Sequence, residues 1–151
     1  MTTMTEQTTQ VYSVFIRATP EQVWEGITKP EFTQRYFYGS VFDTTWEPGS
    51  ALAGWAADRS QQFVDGEILE VEPPHKLVTT WRALYDPETA AEPPSRVTWE
   101  IEQAGEQVTK LTVVHDRLEA APKTAESVSG GWSYVLSGLK TLLETGEPLG
   151  A

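Results

Sequence analysis

The sequence predicts an α+β fold, with a curved antiparallel sheet of about six or seven strands wrapped around one long C-terminal helix. Three patterns predict it. Near the C-terminus Val128, Trp132, Val135, Leu136, Leu139, Leu142 and Leu143 fall within about 120° of arc when wound as a helix. The middle of the chain is a run of segments with alternating polarity, separated by turn residues. Two short helices are signalled between the first strand and that run. Each half-buried strand has one apolar face to hide, and the final helix supplies a matching surface, so the sheet should clasp it.

Gln10 to Ala18 reads as the first strand, with Tyr12, Val14 and Ile16 on one face and Ser13, Phe15 and Arg17 on the other. Residues 1–9 read as a flexible polar tail, and residues 10–147 as a single domain. Thr19-Pro20-Glu21-Gln22 starts a helix: Thr19 can cap, Pro20 suits the first helical position, and Gln22 can bond back to the cap. That helix should end near Thr28, because Lys29 precedes Pro30. Pro30 opens a second short helix through about Tyr36, and Gly39 ends it.

Strands follow. Val41 to Trp46 and Ala51 to Ala56 flank a turn at Glu47-Pro48-Gly49-Ser50. Gln62 to Glu72 is the next strand, with Asp65-Gly66 inside it as a turn or bulge. Pro73-Pro74 breaks the chain before a strand from His75 to Tyr85, where Leu77, Thr79, Trp81, Ala83 and Tyr85 share a face. The acidic, proline-rich segment 86–94 reads as an exposed loop. Arg96 to Gln103 buries Val97, Trp99 and Ile101 and wets its other face; Gln107 to Asp116 is the last strand. The final helix opens at Pro122, or after Ser129 with Gly130-Gly131 marking a break, and stops at Gly146.

Composition narrows the functional classes. The 151 residues carry 22 acidic against 11 basic side chains, a net charge of -11, which repels phosphate backbones and anionic lipid. Nucleic acid is therefore an improbable partner. With no cysteine, thiol catalysis, disulfides and thiolate metal sites are out, and two separated histidines make no zinc spacing. No apolar run reaches the ~20 residues of a membrane span, and the N-terminus lacks the pattern of a secretory signal. A cytoplasmic protein, monomer or homodimer, is expected. Glycine-rich phosphate loops and a Gly-x-Ser-x-Gly elbow are missing as well, and no metal or cofactor is expected.

Three motifs carry a resemblance. Ala18-Thr19-Pro20-Glu21-Gln22-Val23-Trp24 resembles the opening of bacterial proteins related to the C-terminal domain of the activator of Hsp90 ATPase. Gly66-Glu67-Ile68-Leu69-Glu70, followed by Pro73-Pro74 and Leu77, resembles their middle motif. Gly131-Trp132 through Leu136-Ser137-Gly138-Leu139-Lys140-Thr141-Leu142-Leu143-Glu144 resembles their closing one. The likeness runs over about residues 10–147. It implies the helix-grip fold of the START/Bet v 1-like (SRPBCC) superfamily, with an internal cavity that serves carriers of apolar ligands, polyketide cyclases and a co-chaperone.

The residues that bear on chemistry are mostly aromatic. Trp46, Trp81, Trp99 and Trp132, together with Leu136 and Leu139, should surround one space; each ring reads either as core or as ligand contact. Tyr36 and Tyr38 leave the second helix beside the expected mouth. His115 shares a strand face with Leu111 and Val113 and should meet Trp132. It reads as a core histidine, as a ligand-orienting group, or as a general base if the protein is an enzyme. Gly131 and Gly138 edge the helix stripe and should allow close packing, while His75 reads as a turn residue. Three functions stay open: a binder of an apolar or aromatic small molecule; a cyclase or hydrolase using His115 with a tyrosine; and a chaperone-associated module of the Hsp90 ATPase activator type.

Overall fold

The first helix begins where its cap residues demand. Thr19 accepts from the Gln22 backbone N–H, and the Gln22 side chain accepts from the Thr19 N–H, closing both halves of a capping box ahead of Pro20. The structure, a computed structural model, describes residues 8–149; the tail expected over residues 1–9 lies outside them as far as residue 7. The elements run β1 (Gln10–Ile16), α1 (Pro20–Thr28), α2 (Pro30–Tyr36), β2 (Ser40–Asp43), β3 (Ala51–Ala56), β4 (Gln62–Glu72) and β5 (Lys76–Ala83). They continue with α3 (Pro87–Ala90), β6 (Ser95–Gly105), β7 (Val108–Asp116), α4 (Pro122–Val128) and α5 (Gly131–Thr145).

The seven strands form one antiparallel sheet in the order β1-β7-β6-β5-β4-β3-β2. Neighbouring strands are mostly consecutive in sequence, so short turns make the sheet; only β1 travels, to close the far edge beside β7. Alternation decides the inward face: Val97, Trp99 and Ile101 of β6 and Leu111, Val113 and His115 of β7 are all buried. Trp132, Val135, Leu136, Leu139 and Leu142 of α5 join them in a single core cluster. The helix is thus held by the sheet as the apolar stripe requires. Among the described residues no helix is long and apolar enough to cross a membrane.

Glycines let the layers approach. A Cβ at Gly138 would lie 3.1 Å from the Cβ of Tyr36, and one at Gly26 would lie 2.8 Å from Cδ1 of Leu139. Close packing of α1 and α2 on α5 is therefore the reason for small residues there, as expected at Gly138. Gly131 instead faces the Tyr38 hydroxyl, 3.5 Å from where its Cβ would sit.

Four expectations need correction. β2 ends at Asp43 rather than Trp46, which lies in the following loop with a left-handed φ of 58°. Asp65-Gly66 is neither turn nor bulge: β4 runs through it, and its register shift falls between Ile68 and Glu70. Segment 86–94 is not a plain loop, since Asp86 caps the one-turn helix α3 and Thr89 is buried. The C-terminal stripe belongs to two helices, so both readings of its start hold. Pro122 opens α4, and the break follows at Ser129-Gly130, where the Tyr12 hydroxyl donates to the Ser129 carbonyl at 2.8 Å.

Gly66 has a different purpose from a turn. A Cβ there would stand 2.2 Å from the Thr80 carbonyl oxygen on β5, closer than any contact allows, so only glycine lets the two strands pair. Gly66→Ala should cost about 1–3 kcal/mol by forcing the strands apart. A urea-unfolding midpoint unchanged from wild type would contradict this.

Candidate functional site

Helix α2 ends in a tight left-handed turn, with φ of 53° at Tyr38 and 72° at Gly39. The turn sends consecutive aromatic side chains in opposite directions. Phe37 is buried, while Tyr38 is 60% exposed. Phe37 becomes the hub of an aromatic cluster, with ring centroids 5.1 Å from Phe42, 5.8 Å from Trp132, 6.1 Å from Trp81 and 6.4 Å from Trp99. Trp132 meets Trp99 edge-on at 5.5 Å and Trp81 at 5.6 Å. These are separations at which aromatic rings attract beyond their area burial.

Beside this cluster the packing leaves a cavity of about 360 Å³, within the ~300–1,000 Å³ usual for small-molecule sites. Phe42, Phe63, Val64 and Trp81 wall it on the sheet side; Val128, Trp132 and Val135 wall it on the helix side. None of its lining residues is charged. The N–H of the Trp81 indole is buried and has no acceptor.

The rim is assembled from distant segments. Residues 84–94 form a strap across α4. At one end the Glu92 carboxylate accepts from the backbone N–H groups of Lys123 and Thr124, each at 2.8 Å, and from the Thr124 hydroxyl at 2.7 Å. Burial works to raise the Glu92 pKa, but these donors outweigh it and hold the carboxyl below its usual value. At the other end the hydroxyls of Tyr85 and Ser127 share a 2.6 Å hydrogen bond, and both residues line the cavity.

Under the cavity floor runs a buried polar chain. The Trp132 indole N–H donates to Nδ1 of His115 at 3.0 Å. Because an indole can only donate, Nδ1 must be the lone-pair nitrogen and Nε2 must carry the proton. Nε2 donates to Ser95 Oγ at 2.6 Å, and Ser95 donates to the Trp81 carbonyl at 3.1 Å. His115 has no exposed surface. Burial lowers its pKa to about 4, with the Asp116 carboxylate pulling the other way.

Of the side chains expected to meet a ligand, Tyr38, Trp81 and Trp132 line the cavity. The others do not. Tyr36 is buried and donates to the Gly26 carbonyl at 2.8 Å; burial raises its phenol pKa far above the ordinary value. Trp99, Leu136 and Leu139 are core behind Trp132, and Trp46 packs on the core's margin from its loop. His115 has neither a tyrosine nor a carboxylate on its ring nitrogens, contrary to the acid–base expectation, because Ser95 and Trp132 occupy them. Phe37, Phe42, Phe63, Tyr85 and Ser127 were missed. Phe63 and Tyr85 sit at strand ends where alternation no longer tells inside from outside, and Ser127 carries no sequence signal at all.

The family model of activator of Hsp90 ATPase homolog 1-like proteins matches residues 17–144. No curated protein matches the chain in sequence. Among solved structures, CalU16 from Micromonospora echinospora superposes with a TM-score of 0.71 at 22% identity, over 91% of this chain and 77% of that one. PFC0360w, an HSP90 activator from Plasmodium falciparum, gives 0.72 at 23% identity, over 91% and 96%. For these two the likeness is one of fold. DynU16, from the dynemicin biosynthetic locus, gives 0.75 at 25% identity over 93% of this chain; the chain spans 49% of DynU16.

Protonating His115 would set two donors, its own Nδ1–H and the Trp132 N–H, against each other. The folded ring titrates near pH 4, the unfolded one near 6.5. The stability that the neutral ring contributes is therefore complete above about pH 6.5 and lost as pH falls toward 4, to the extent of roughly 3 kcal/mol. His115→Gln can keep both hydrogen bonds without titrating. Urea unfolding at pH 7 and pH 4.5 should show a markedly smaller acid loss in the variant; equal losses would refute the assignment.

Proposed function

This chain belongs to the activator of Hsp90 ATPase homolog 1-like family, and from that premise and its cavity we propose that it holds a small apolar or aromatic molecule between the sheet and α5. The observation that carries the reading is an uncharged, aromatic-walled space of about 360 Å³ reached past Tyr38, Tyr85 and Ser127. Such a surface gains from covering apolar area and loses nothing by excluding water from charges. Binding rather than acid–base catalysis is favoured by His115. Both its nitrogens are engaged by the protein, and a ring neutral down to about pH 4 is a weak base for a reaction near neutrality.

A second reading is a chaperone-associated module, favoured by the family and by the likeness to an HSP90 activator from Plasmodium falciparum. The two readings part on one measurement. The binder reading expects no stimulation when the purified protein is added to an Hsp90 ATPase assay, whereas the second expects a clear rise in turnover.

N-Phenyl-1-naphthylamine, an uncharged dye that fluoresces in apolar surroundings, tests the cavity directly. It should bind one per chain with a Kd below about 100 μM, an affinity that a modest apolar contact supplies. Ser127 is exposed at the rim, so Ser127→Trp should leave the fold intact and weaken the dye at least about 10-fold by obstruction. Dye that stays dark in the wild-type protein at 100 μM, about the weakest affinity expected of such a site, would end the reading.

A further inference from the structure

Resting on that cavity reading, we propose that the site selects an uncharged, flat aromatic compound bearing a hydrogen-bond acceptor, and that the Trp81 indole N–H receives the acceptor. Two buried indoles lie 5.6 Å apart in this cluster, and the protein treats them differently. Trp132 is given a dedicated acceptor, His115 Nδ1, itself positioned by Ser95. Trp81 is given none, although it is 7% exposed and lines the cavity. A buried donor without a partner is a standing loss in the empty protein, recovered when a ligand supplies the missing acceptor. The other unpartnered buried side-chain atom among the described residues, Thr33 Oγ1, belongs to a residue that does not line the cavity.

Charge is excluded by the same walls. An ionised carboxylate would be stripped of water with no cation among the lining residues to replace it. The net charge of -11 adds a repulsive field. Aromatic faces can hold a cation, but a cationic group brings donors, not acceptors, and would leave the Trp81 N–H as it was. What remains is neutral with an acceptor. Phe37, Phe42, Phe63 and Trp132 offer ring faces and edges to a planar guest, and the volume suits about three fused rings.

Three matched probes separate the parts of this proposal: 9-fluorenone, its hydrocarbon fluorene, and 9-oxofluorene-2-carboxylate. In calorimetric titrations of the wild-type protein, fluorenone should bind about 5- to 10-fold tighter than fluorene, the usual margin of one net hydrogen bond. The carboxylate should bind at least about 10-fold weaker than fluorenone. In ¹H–¹⁵N spectra the indole resonance missing from Trp81→Phe identifies Trp81, and it should move downfield with fluorenone far more than with fluorene. Trp81→Phe keeps an aromatic wall and should bind both neutral probes alike. Equal affinity of fluorene and fluorenone for the wild type, with the Trp81 indole proton unmoved, overturns the anchor and leaves the cavity reading standing. A carboxylate that binds as well as the ketone overturns the requirement for no charge. If neither ring probe binds, the proposal is overturned, and the cavity reading falls with it only if N-phenyl-1-naphthylamine also fails.

Discussion

A tryptophan buried at the start of the last helix constrains this molecule more than any other residue. Trp132 is 3% exposed, so its N–H must find an acceptor inside the protein. It finds one on β7, in His115, which passes a hydrogen bond to Ser95 on β6, and Ser95 passes one to the Trp81 carbonyl on β5. One helix is thereby fastened to three adjacent strands by a chain in which every donor has an acceptor. Apolar packing would bring α5 to the concave face in several rotations; this chain accepts only one. Its directionality also fixes the histidine tautomer and keeps the ring uncharged.

The cavity follows from the same placement. With Trp132 anchored toward β7, β6 and β5, the space toward β4 and β2 is left to Phe42, Phe63 and Phe37, which wall it without filling it. The break at Ser129-Gly130 lets α4 turn away from the axis of α5, and the strap 84–94 is bound to α4 at both of its ends by Glu92 and Tyr85. The mouth is thus framed by polar contacts on rigid elements, while the interior keeps no charge. That division suits a site which admits apolar rings and is edged by water-facing hydroxyls.

The aromatic count in the sequence pointed to a shared space but not to which rings would border it. Trp99 and Trp132 lie on inward faces that periodicity predicts, and both are buried, yet only Trp132 touches the cavity. The difference lies in depth along the sheet, a coordinate that alternation does not carry. Tyr36, Phe37 and Tyr38 are three aromatic residues in a row; the left-handed φ at Tyr38 decides that the middle one becomes the hub. Gly66 misled in a similar way. Beside an aspartate it has the look of a turn, while its reason is the Thr80 carbonyl across the ladder, 13–14 residues away in sequence.

By itself the sequence determined what is local and periodic: the capping box at Thr19, the alternation of β6 and β7, the apolar stripe of α5, and hence a sheet clasping a helix. Those features depend on neighbours a few residues apart, whose geometry repeats. Which buried donor received a partner was decided only by tertiary structure. The acceptor of Trp132 is 17 residues away and the partner of Tyr85 is 42 residues away, and pairings over such distances exist only once the strands have taken their register and the helix its rotation.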